Sequence, residues 1–160
     1  MIFMTVGSQM GFDRMVAAVD AWAGAQAAPP DVLAQIGNGA YRPRTLRAVQ
    51  SLTPAEFNAA VAGADVLVAH AGMGSVLTAL ELGKPLVLMP RRGDLQETRN
   101  DHQLATARWL ATRPGIYVAM DEQELAGAMA AALAAAGAAG APISAHASPA
   151  LIGALRDWIA

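Results

Sequence analysis

Two glycine-bearing stretches carry the groups best suited to hold an anion. The first, His70-Ala71-Gly72-Met73-Gly74-Ser75, lies between the apolar residues 66–68 and a helical segment. Glycine lets an anion approach the backbone closely, and a helix N-terminus offers unpaired N–H groups and the positive end of the helix dipole. The second, Gly7-Ser8-Gln9, follows the strand-like residues 2–6. Because ligands bind at the carboxyl ends of parallel strands, we expect the two loops to converge on one diphosphate.

The residues of the first stretch also have interpretations without a ligand. A tight strand-to-helix turn needs glycine for positive φ whether or not it binds anything. The dinucleotide fingerprint has a third glycine where this chain has Leu77, which disfavours NAD. His70 either donates an imidazole N–H to a phosphate or is a half-buried histidine with an ordinary hydrogen bond. Thr78 and Glu81 share one helix face, and each either reaches a ribose hydroxyl or is solvated.

A polar segment after the next apolar run offers groups for a sugar. It contains an arginine pair followed by carboxylate, imidazole and amide side chains, namely Arg91, Arg92, Asp101, His102 and Gln103. Guanidinium groups bind anions in a fork, and the other side chains can hold sugar hydroxyls. The alternative is a surface arginine pair and an ordinary helix N-terminus. We expect no metal site, because His70 and His102 lack a third ligand at metal-site spacing. The sequence has no G-x-S-x-G motif, so a Ser-His-Asp triad is unsupported.

Alternating strand and helix patterns must position these loops. We expect strands at residues 2–6, 31–36, 49–52, 66–68, 86–88 and 116–118, with a helix after every strand except the second. Thr53 at the N-cap, Pro54 at N1 and Glu56 at N3 predict the start of the helix after the third strand. The acidic turn that begins at Asp121 predicts the start of the last helix before a linker over residues 137–149. This alternation predicts an α/β, Rossmann-like fold with a mostly parallel sheet and helices on both faces. The prediction divides the chain into a binding domain over residues 1–136 and a region over residues 137–160. The second region is expected to be a small-residue linker and a short helix that packs on the body or on a partner.

Composition restricts the class of protein. The chain has 160 residues, of which 54% are hydrophobic, enough for one domain with a core. Its formal charge of −2 disfavours binding nucleic acid over the whole surface. The absence of cysteine excludes disulfides and fits a reducing cytoplasm. No run approaches the ~18 apolar residues of a spanning helix, and the N-terminus is unlike a signal peptide, so we expect a cytoplasmic protein that reaches a membrane through a partner.

With these residues assembled, the chain resembles the C-terminal, donor-binding half of glycosyltransferase family 28. The matching stretches are MIFMTVGSQ, AHAGMGS, ELGKP, MPRR and NDHQLATA, together with Phe12-Asp13-Arg14 and Gln35-Ile36-Gly37. It is most similar to small subunits of split enzymes. These are bacterial exopolysaccharide glucuronosyltransferase subunits and the cytosolic subunit of the eukaryotic UDP-GlcNAc transferase that acts on dolichol.

The resemblance implies one half of a GT-B glycosyltransferase that holds a UDP-sugar, uses no metal and inverts the anomeric carbon. Carried onto this sequence, it implies a diphosphate site formed by Gly7, Ser8, Gln9, His70, Gly72, Met73, Gly74 and Ser75. Asp101, His102 and Gln103 would meet the donor sugar, and uracil would lie near Leu52. Thr78 stands where many relatives place a ribose-binding glutamate, with Glu81 one turn later.

The resemblance also implies a missing half. The acceptor-binding half and its general base would belong to a separate, membrane-associated subunit with a lipid-linked saccharide acceptor, so this chain alone should transfer little. If Arg91 or Arg92 forms a fork with a sugar carboxylate, the donor is UDP-glucuronate.

Three rival functions stay open from the sequence. One is a UDP-sugar 2-epimerase-like enzyme, although such enzymes carry both halves in one chain. The second is a non-catalytic subunit that only stabilises or recruits a transferase. The third is a dinucleotide-binding module.

Overall fold

The computed structural model describes residues 1–137, 143–144 and 148–159. Helices and strands are numbered in chain order within these residues. The strands are β1 (Ile2–Thr5), β2 (Val32–Gln35), β3 (Arg47–Val49), β4 (Val66–His70), β5 (Leu86–Met89) and β6 (Ile116–Val118). The helices are α1 (Asp13–Gly24), α2 (Pro54–Gly63), α3 (Met73–Glu81), α4 (His102–Leu110), α5 (Leu125–Ala135) and α6 (Pro149–Ile159).

The strands form one sheet in the order β3-β2-β1-β4-β5-β6, and every pairing in it is parallel. Strand order therefore reverses between β1 and β4, where successive connections leave toward opposite edges of the sheet. At such a switch point the loops after the two strands diverge and leave a crevice. The predicted α/β, Rossmann-like architecture is confirmed.

Each face of the sheet is covered by its own hydrophobic core. Along β1, Ile2 and Met4 face a core that contains residues of α1 and α5, whereas Phe3 faces a core with residues of α2, α3 and α4. Successive side chains of a strand point to opposite faces, so a strand that is buried on both sides must be apolar throughout. This explains the continuous apolar runs of β1, β4 and β5 in the sequence.

The start of α2 follows its sequence signal closely. Thr53 Oγ1 accepts a hydrogen bond from the Glu56 N–H, and the Glu56 carboxylate accepts one from the Thr53 N–H at 2.8 Å. This reciprocal pair satisfies backbone donors that a helix N-terminus leaves free. The predicted capping arrangement at residues 53–56 is confirmed.

Two boundaries differ from the prediction. The third strand lies at Arg47–Val49 rather than at residues 49–52, and it is an edge strand paired on one side to β2. Because this edge strand is not buried on both faces, its sequence lacks the continuous apolar run that marks the central strands. Helix α5 begins at Leu125 rather than near Asp121, because Asp121 Oδ1 accepts the backbone N–H of Gln123 and holds a turn there.

The C-terminal region is only partly described. Most of the predicted linker, residues 137–149, lies outside the described residues. Helix α6 matches the predicted C-terminal helix in position, and none of its residues is buried. Whether α6 packs on a partner stays a prediction. Among the described residues, no helix combines the length and the apolar character needed to cross a membrane.

A buried carboxylate organises the connection that leads into β3. Asp20 on α1 is buried and accepts hydrogen bonds from the backbone N–H groups of Arg44, Thr45 and Leu46 and from the Tyr41 hydroxyl. Burial by itself raises the pKa of Asp20, but these hydrogen bonds outweigh it and hold the pKa below the usual value. The folded protein therefore favours the charged carboxylate.

Replacing Asp20 with asparagine should lower the free energy of unfolding by about 1–3 kcal/mol near neutral pH, because donors of the 41–46 connection lose a charged acceptor. The folded pKa is depressed, so this contribution is complete above the unfolded pKa and is lost as the pH falls through the folded pKa. Urea unfolding of wild type and Asp20→Asn over the acid range measures it. The difference in the free energy of unfolding between wild type and Asp20→Asn should become smaller as the pH is lowered.

A matched control is Asp31→Asn, since Asp31 forms an exposed salt bridge with Arg47. Its cost should stay below about 1 kcal/mol. Equal losses in the two variants would show that the Asp20 network does not stabilise the fold.

Candidate functional site

A cavity of about 690 Å³ opens at the carboxyl ends of β1 and β4. It is lined by loop 6–12, by the start of α3, by α2 and by the segment that follows β5. Its polar lining comprises Thr5, Ser8, Gln9, Gln35, Asn58, His70, Ser75, Thr78, Arg91, Thr98, His102 and Gln103. No carboxylate lines it within the described part of the chain. The cavity lies at the topological switch point and is suited to an anionic ligand.

His70, the last residue of β4, packs between two glycines. A Cβ added at Gly7 would lie 2.7 Å from His70 Cε1, and one added at Gly72 would lie 2.9 Å from the same atom and closer still to Nε2. Gly7 also has φ of 84°, which disfavours other residues. The imidazole ring thus disfavours a side chain at both positions, and the backbone conformation favours glycine at Gly7 as well.

Burial keeps His70 neutral. It lowers the pKa of His70 to about 4, and the positive charge of Arg91 adds to this effect. Among the described buried polar side-chain atoms, His70 Nδ1 is the one without a hydrogen-bond partner. A neutral imidazole that borders the cavity can serve a ligand either as donor or as acceptor.

The start of α3 presents free backbone donors to the cavity. Gly72 is the N-cap, no side chain caps the helix, and the Val76 N–H donates to the Gly72 carbonyl. The N–H groups of Met73, Gly74 and Ser75 precede this first helical bond, and a helix N-terminus leaves such groups unpaired. Together with the helix dipole, these groups supply the donors that the predicted anion site requires, and anion binding itself stays a prediction.

Loop 6–12 is held in place by two buried polar side chains at the ends of neighbouring strands. Thr5 and Gln35 are register partners in β1 and β2, and the Thr5 hydroxyl donates to Gln35 Oε1 at 2.9 Å. Thr5 Oγ1 in turn accepts the Gly7 N–H at 3.0 Å. The sequence interpretation missed this pair, and its signal was a polar residue at the end of each of two buried strands.

The Arg91 guanidinium is bonded to the protein itself. It is 4% exposed, and its guanidinium donates to the backbone carbonyls of Val6, Met10, Gly11 and Glu97. With both terminal nitrogens engaged in this way, the guanidinium has no free fork for a sugar carboxylate. Arg91 therefore lines the cavity as a buried cation that is bonded to the protein itself.

Of the remaining residues predicted to contact the sugar, two line the cavity and two do not. His102 and Gln103 line the cavity, together with Thr98, which the sequence interpretation missed within the polar segment 91–100. Arg92 and Asp101 are not among the lining residues. Arg92 pairs with Asp94 at 2.6 Å, and Asp101 accepts the Gly93 N–H at 2.9 Å. Both shape the segment before α4.

An apolar wall on α2 completes the cavity. Leu52, predicted near the nucleobase, lines it beside Pro54, Phe57 and Asn58. The last three are on the first turns of α2, where only the capping motif was noted from the sequence. An aromatic ring and an amide suit the stacking and hydrogen bonding of a planar base.

Some of the residues predicted to bind the ribose and the diphosphate line the cavity, and others do not. Thr78 lines the cavity, and its hydroxyl donates to the Gly74 carbonyl at 2.9 Å, whereas Glu81 is exposed and does not line it. Of the predicted diphosphate group, all but Met73 line the cavity. Met73 contributes its place in the helix N-terminus rather than its side chain, which is 47% exposed.

A family model matches residues 1–139, and its description is the glycosyltransferase family 28 C-terminal domain. This chain belongs to that family. The match spans all five strand pairings and each loop of the cavity, so the family 28 domain is the unit that carries the site. Comparison with curated protein sequences gives no match.

Solved structures share the fold of the family 28 domain. MurG from Acinetobacter baumannii has a TM-score of 0.60 at 19% identity, over 82% of this chain and 40% of its own. The glycotransferase of kitacinnamycin has a TM-score of 0.57 at 20% identity, over 81% of this chain and 34% of its own. An NMR solution structure of ALG13 has a TM-score of 0.56 at 15% identity, over 96% of this chain and 94% of its own. The chain thus spans well under half of the first two proteins and nearly all of ALG13.

Gly72→Ala should move the His70 ring out of its packed position. Because burial holds the pKa of His70 near 4, displacement into solvent should raise the pKa toward its ordinary value. Proton NMR titration of the imidazole, assigned with His70→Asn, measures the change.

Gly74→Ala is the control, since an added Cβ there meets nothing within 4 Å. Its His70 titration should match wild type. An unchanged His70 pKa in Gly72→Ala would contradict the packing described for the ring.

Proposed function

We propose that this domain is the donor-binding part of a UDP-sugar glycosyltransferase. The observation that carries the proposal is the cavity at the β1–β4 switch point, which combines a helix N-terminus and a buried arginine with no lining carboxylate among the described residues. A diphosphate is the anion that such a cavity suits, and membership of family 28 supports a nucleotide-sugar as the molecule that carries it.

The proposed mechanism follows from where charge develops. As the bond from the anomeric carbon to the diphosphate breaks, UDP gains negative charge. The N–H groups at the start of α3 and the helix dipole are fixed in place, so they stabilise that charge without reorganising during the reaction. His70 and loop 6–12 complete the diphosphate site, and Leu52 with the α2 wall takes the uracil.

The ribose and the sugar have separate places in the proposal. Thr78 lines the cavity and is the ribose candidate in place of the glutamate that the family resemblance implies, whereas the position of Glu81 does not support a contact. Thr98, His102 and Gln103 border the region for the donor sugar. The polar lining side chains carry hydroxyl, amide, imidazole and guanidinium groups, and the donor is proposed to be held without a metal.

The acceptor half is proposed to lie on another subunit. No carboxylate of the described residues lines the cavity to deprotonate an acceptor hydroxyl, which supports a general base that lies outside this domain. The resemblance to split enzymes supports a membrane-associated partner that binds a lipid-linked acceptor, inversion at the anomeric carbon and a place in exopolysaccharide synthesis.

Gly74→Trp should weaken UDP binding strongly, because the indole would fill the space before the α3 N-terminus. Titration calorimetry with UDP should show at least about a tenfold rise in Kd. The matched control is Gly127→Trp, since Gly127 also lies in a helix with no atom within 4 Å of its added Cβ.

Undetectable UDP binding by wild type, even with the partner subunit present, would overturn the donor-site proposal and favour a scaffold subunit. Preference for NAD over UDP would favour a dinucleotide module.

Arg92 is the remaining candidate for recognising a sugar carboxylate, now that Arg91 is seen to bond the backbone. Its Nε and NH2 donate to the two oxygens of Asp94 at 3.1 and 2.6 Å. This pair shows that the guanidinium can present a two-point fork to a carboxylate in this segment. We therefore propose UDP-glucuronate as the donor, with Asp94 giving way to the sugar carboxylate.

Arg92→Ala should weaken UDP-glucuronate binding by roughly tenfold while leaving UDP-glucose almost unchanged, because only the first donor loses a charged hydrogen-bond pair. Competition binding of both donors to wild type and variant measures the difference. Arg113→Ala is a control, since Arg113 stacks on Trp109 and follows the C-terminal end of α4, outside the segment between β5 and α4. Equal affinity for both donors in wild type and Arg92→Ala would reject glucuronate selectivity.

A further inference from the structure

Arg91 makes more backbone contacts than any other described arginine side chain near the cavity. NH1 donates to the Gly11 carbonyl at 2.6 Å and to the Glu97 carbonyl at 3.4 Å, and NH2 donates to the Val6 and Met10 carbonyls at 2.9 and 2.8 Å. Three of these acceptors belong to loop 6–12 and lie 80, 81 and 85 residues from Arg91 in the chain. One side chain therefore joins the loop after β1 to the segment after β5.

We propose that Arg91 is a positioning residue for the diphosphate site. Its hydrogen bonds to backbone carbonyls hold loop 6–12 in the geometry that binds the diphosphate. This inference rests on the proposed function, because it names what sets the geometry of that same site. Arg91 is not assigned a contact with the donor.

The acceptors of Arg91 explain why a cation is needed there. Carbonyl dipoles that face a diphosphate would repel it, and three carbonyls of loop 6–12 instead point to the guanidinium. A planar, permanently charged group with five N–H donors can satisfy several carbonyls at fixed angles, which an ammonium group cannot do. The Val6–Gly7 peptide is held on both sides, since its carbonyl accepts from Arg91 and its N–H donates to Thr5 Oγ1.

The position of Arg91 is itself fixed. Its guanidinium carbon lies 4.6 Å from the centre of the Phe12 ring, which is buried. Its backbone N–H donates to the side chain of Gln103 at 3.1 Å, so the same residue also fixes an amide that lines the cavity. Glu97 supplies negative charge nearby and is bridged to Arg14 at 2.7 Å. These contacts make a rigid support rather than a mobile surface arginine.

Arg91→Lys and Arg91→Met separate geometry from charge. Lysine keeps the cation but offers a point charge without the fork, and methionine keeps the length without the charge. Asp20→Asn is the matched control, because Asp20 is also a buried charged group that holds a loop through backbone hydrogen bonds, at a place that does not line the cavity. Thermal unfolding curves give, for each variant, the temperature at which a chosen fraction of the protein is folded.

Two readouts are measured at equal folded fraction. Hydrogen exchange of the apo protein should show amides of residues 7–11 exchanging at least about tenfold faster in both Arg91 variants than in Asp20→Asn. UDP binding should weaken by about tenfold or more in both Arg91 variants and stay near wild type in Asp20→Asn. If Arg91→Met does not fold, Arg91→Lys alone tests whether the Arg91 fork positions loop 6–12.

Wild-type exchange and affinity in Arg91→Lys would overturn the inference, since charge without the fork would then suffice. Equal changes in Arg91→Lys and Asp20→Asn would also overturn it, because the effect would be loss of stability alone. If wild type does not bind UDP, the proposed function fails, and the exchange data on the apo protein still decide whether Arg91 holds loop 6–12.

Discussion

The structure depends on the parallel pairing of β1 with β4. This pairing aligns Thr5 with Ala69 and so brings the turn at Gly7 beside His70. Because strand order reverses there, the following connections leave toward opposite sides and the crevice stays open. Apolar side chains on both faces of the two strands fix their register, since a slip of one residue would exchange the two cores. The register that packs the cores is therefore the register that forms the site.

Charge is distributed unevenly around this crevice. Glu97, the half-buried carboxylate of the segment after β5, bridges Arg14 and does not line the crevice. The Arg91 guanidinium is directed at carbonyls instead of at a carboxylate, so its positive charge is less fully neutralised than that of Arg14. Its effect reaches His70, whose pKa falls partly because of Arg91. A neutral histidine and a buried cation thus adjoin one helix N-terminus.

The sequence was sufficient for features set by local chemistry. Apolar runs, glycine turns and the capping residues at 53–56 predicted the sheet, the two loops and the α2 start. The contacts of the Arg91 guanidinium could not be predicted from the sequence. The residues that accept its hydrogen bonds are mostly distant in the chain, and they contribute backbone carbonyls, which do not depend on side-chain identity. The Thr5–Gln35 pair depends on strand register in the same way. The position of the edge strand β3 was predicted wrongly because this strand is short and largely exposed, so that pairing geometry rather than burial determines its ends.

An anion site and a general base place opposite demands on one cavity. A carboxylate beside the diphosphate would be repelled by it, and the repulsion would raise the pKa of that carboxylate and increase the cost of binding the donor. If the domain binds a UDP-sugar as proposed, the absence of lining carboxylates among the described residues favours the leaving group at the expense of acceptor activation. Placing the base across the cleft, beyond the sugar, separates the two charges by the length of a hexose. A donor domain that is strongly adapted to the diphosphate then requires a general base from outside the domain.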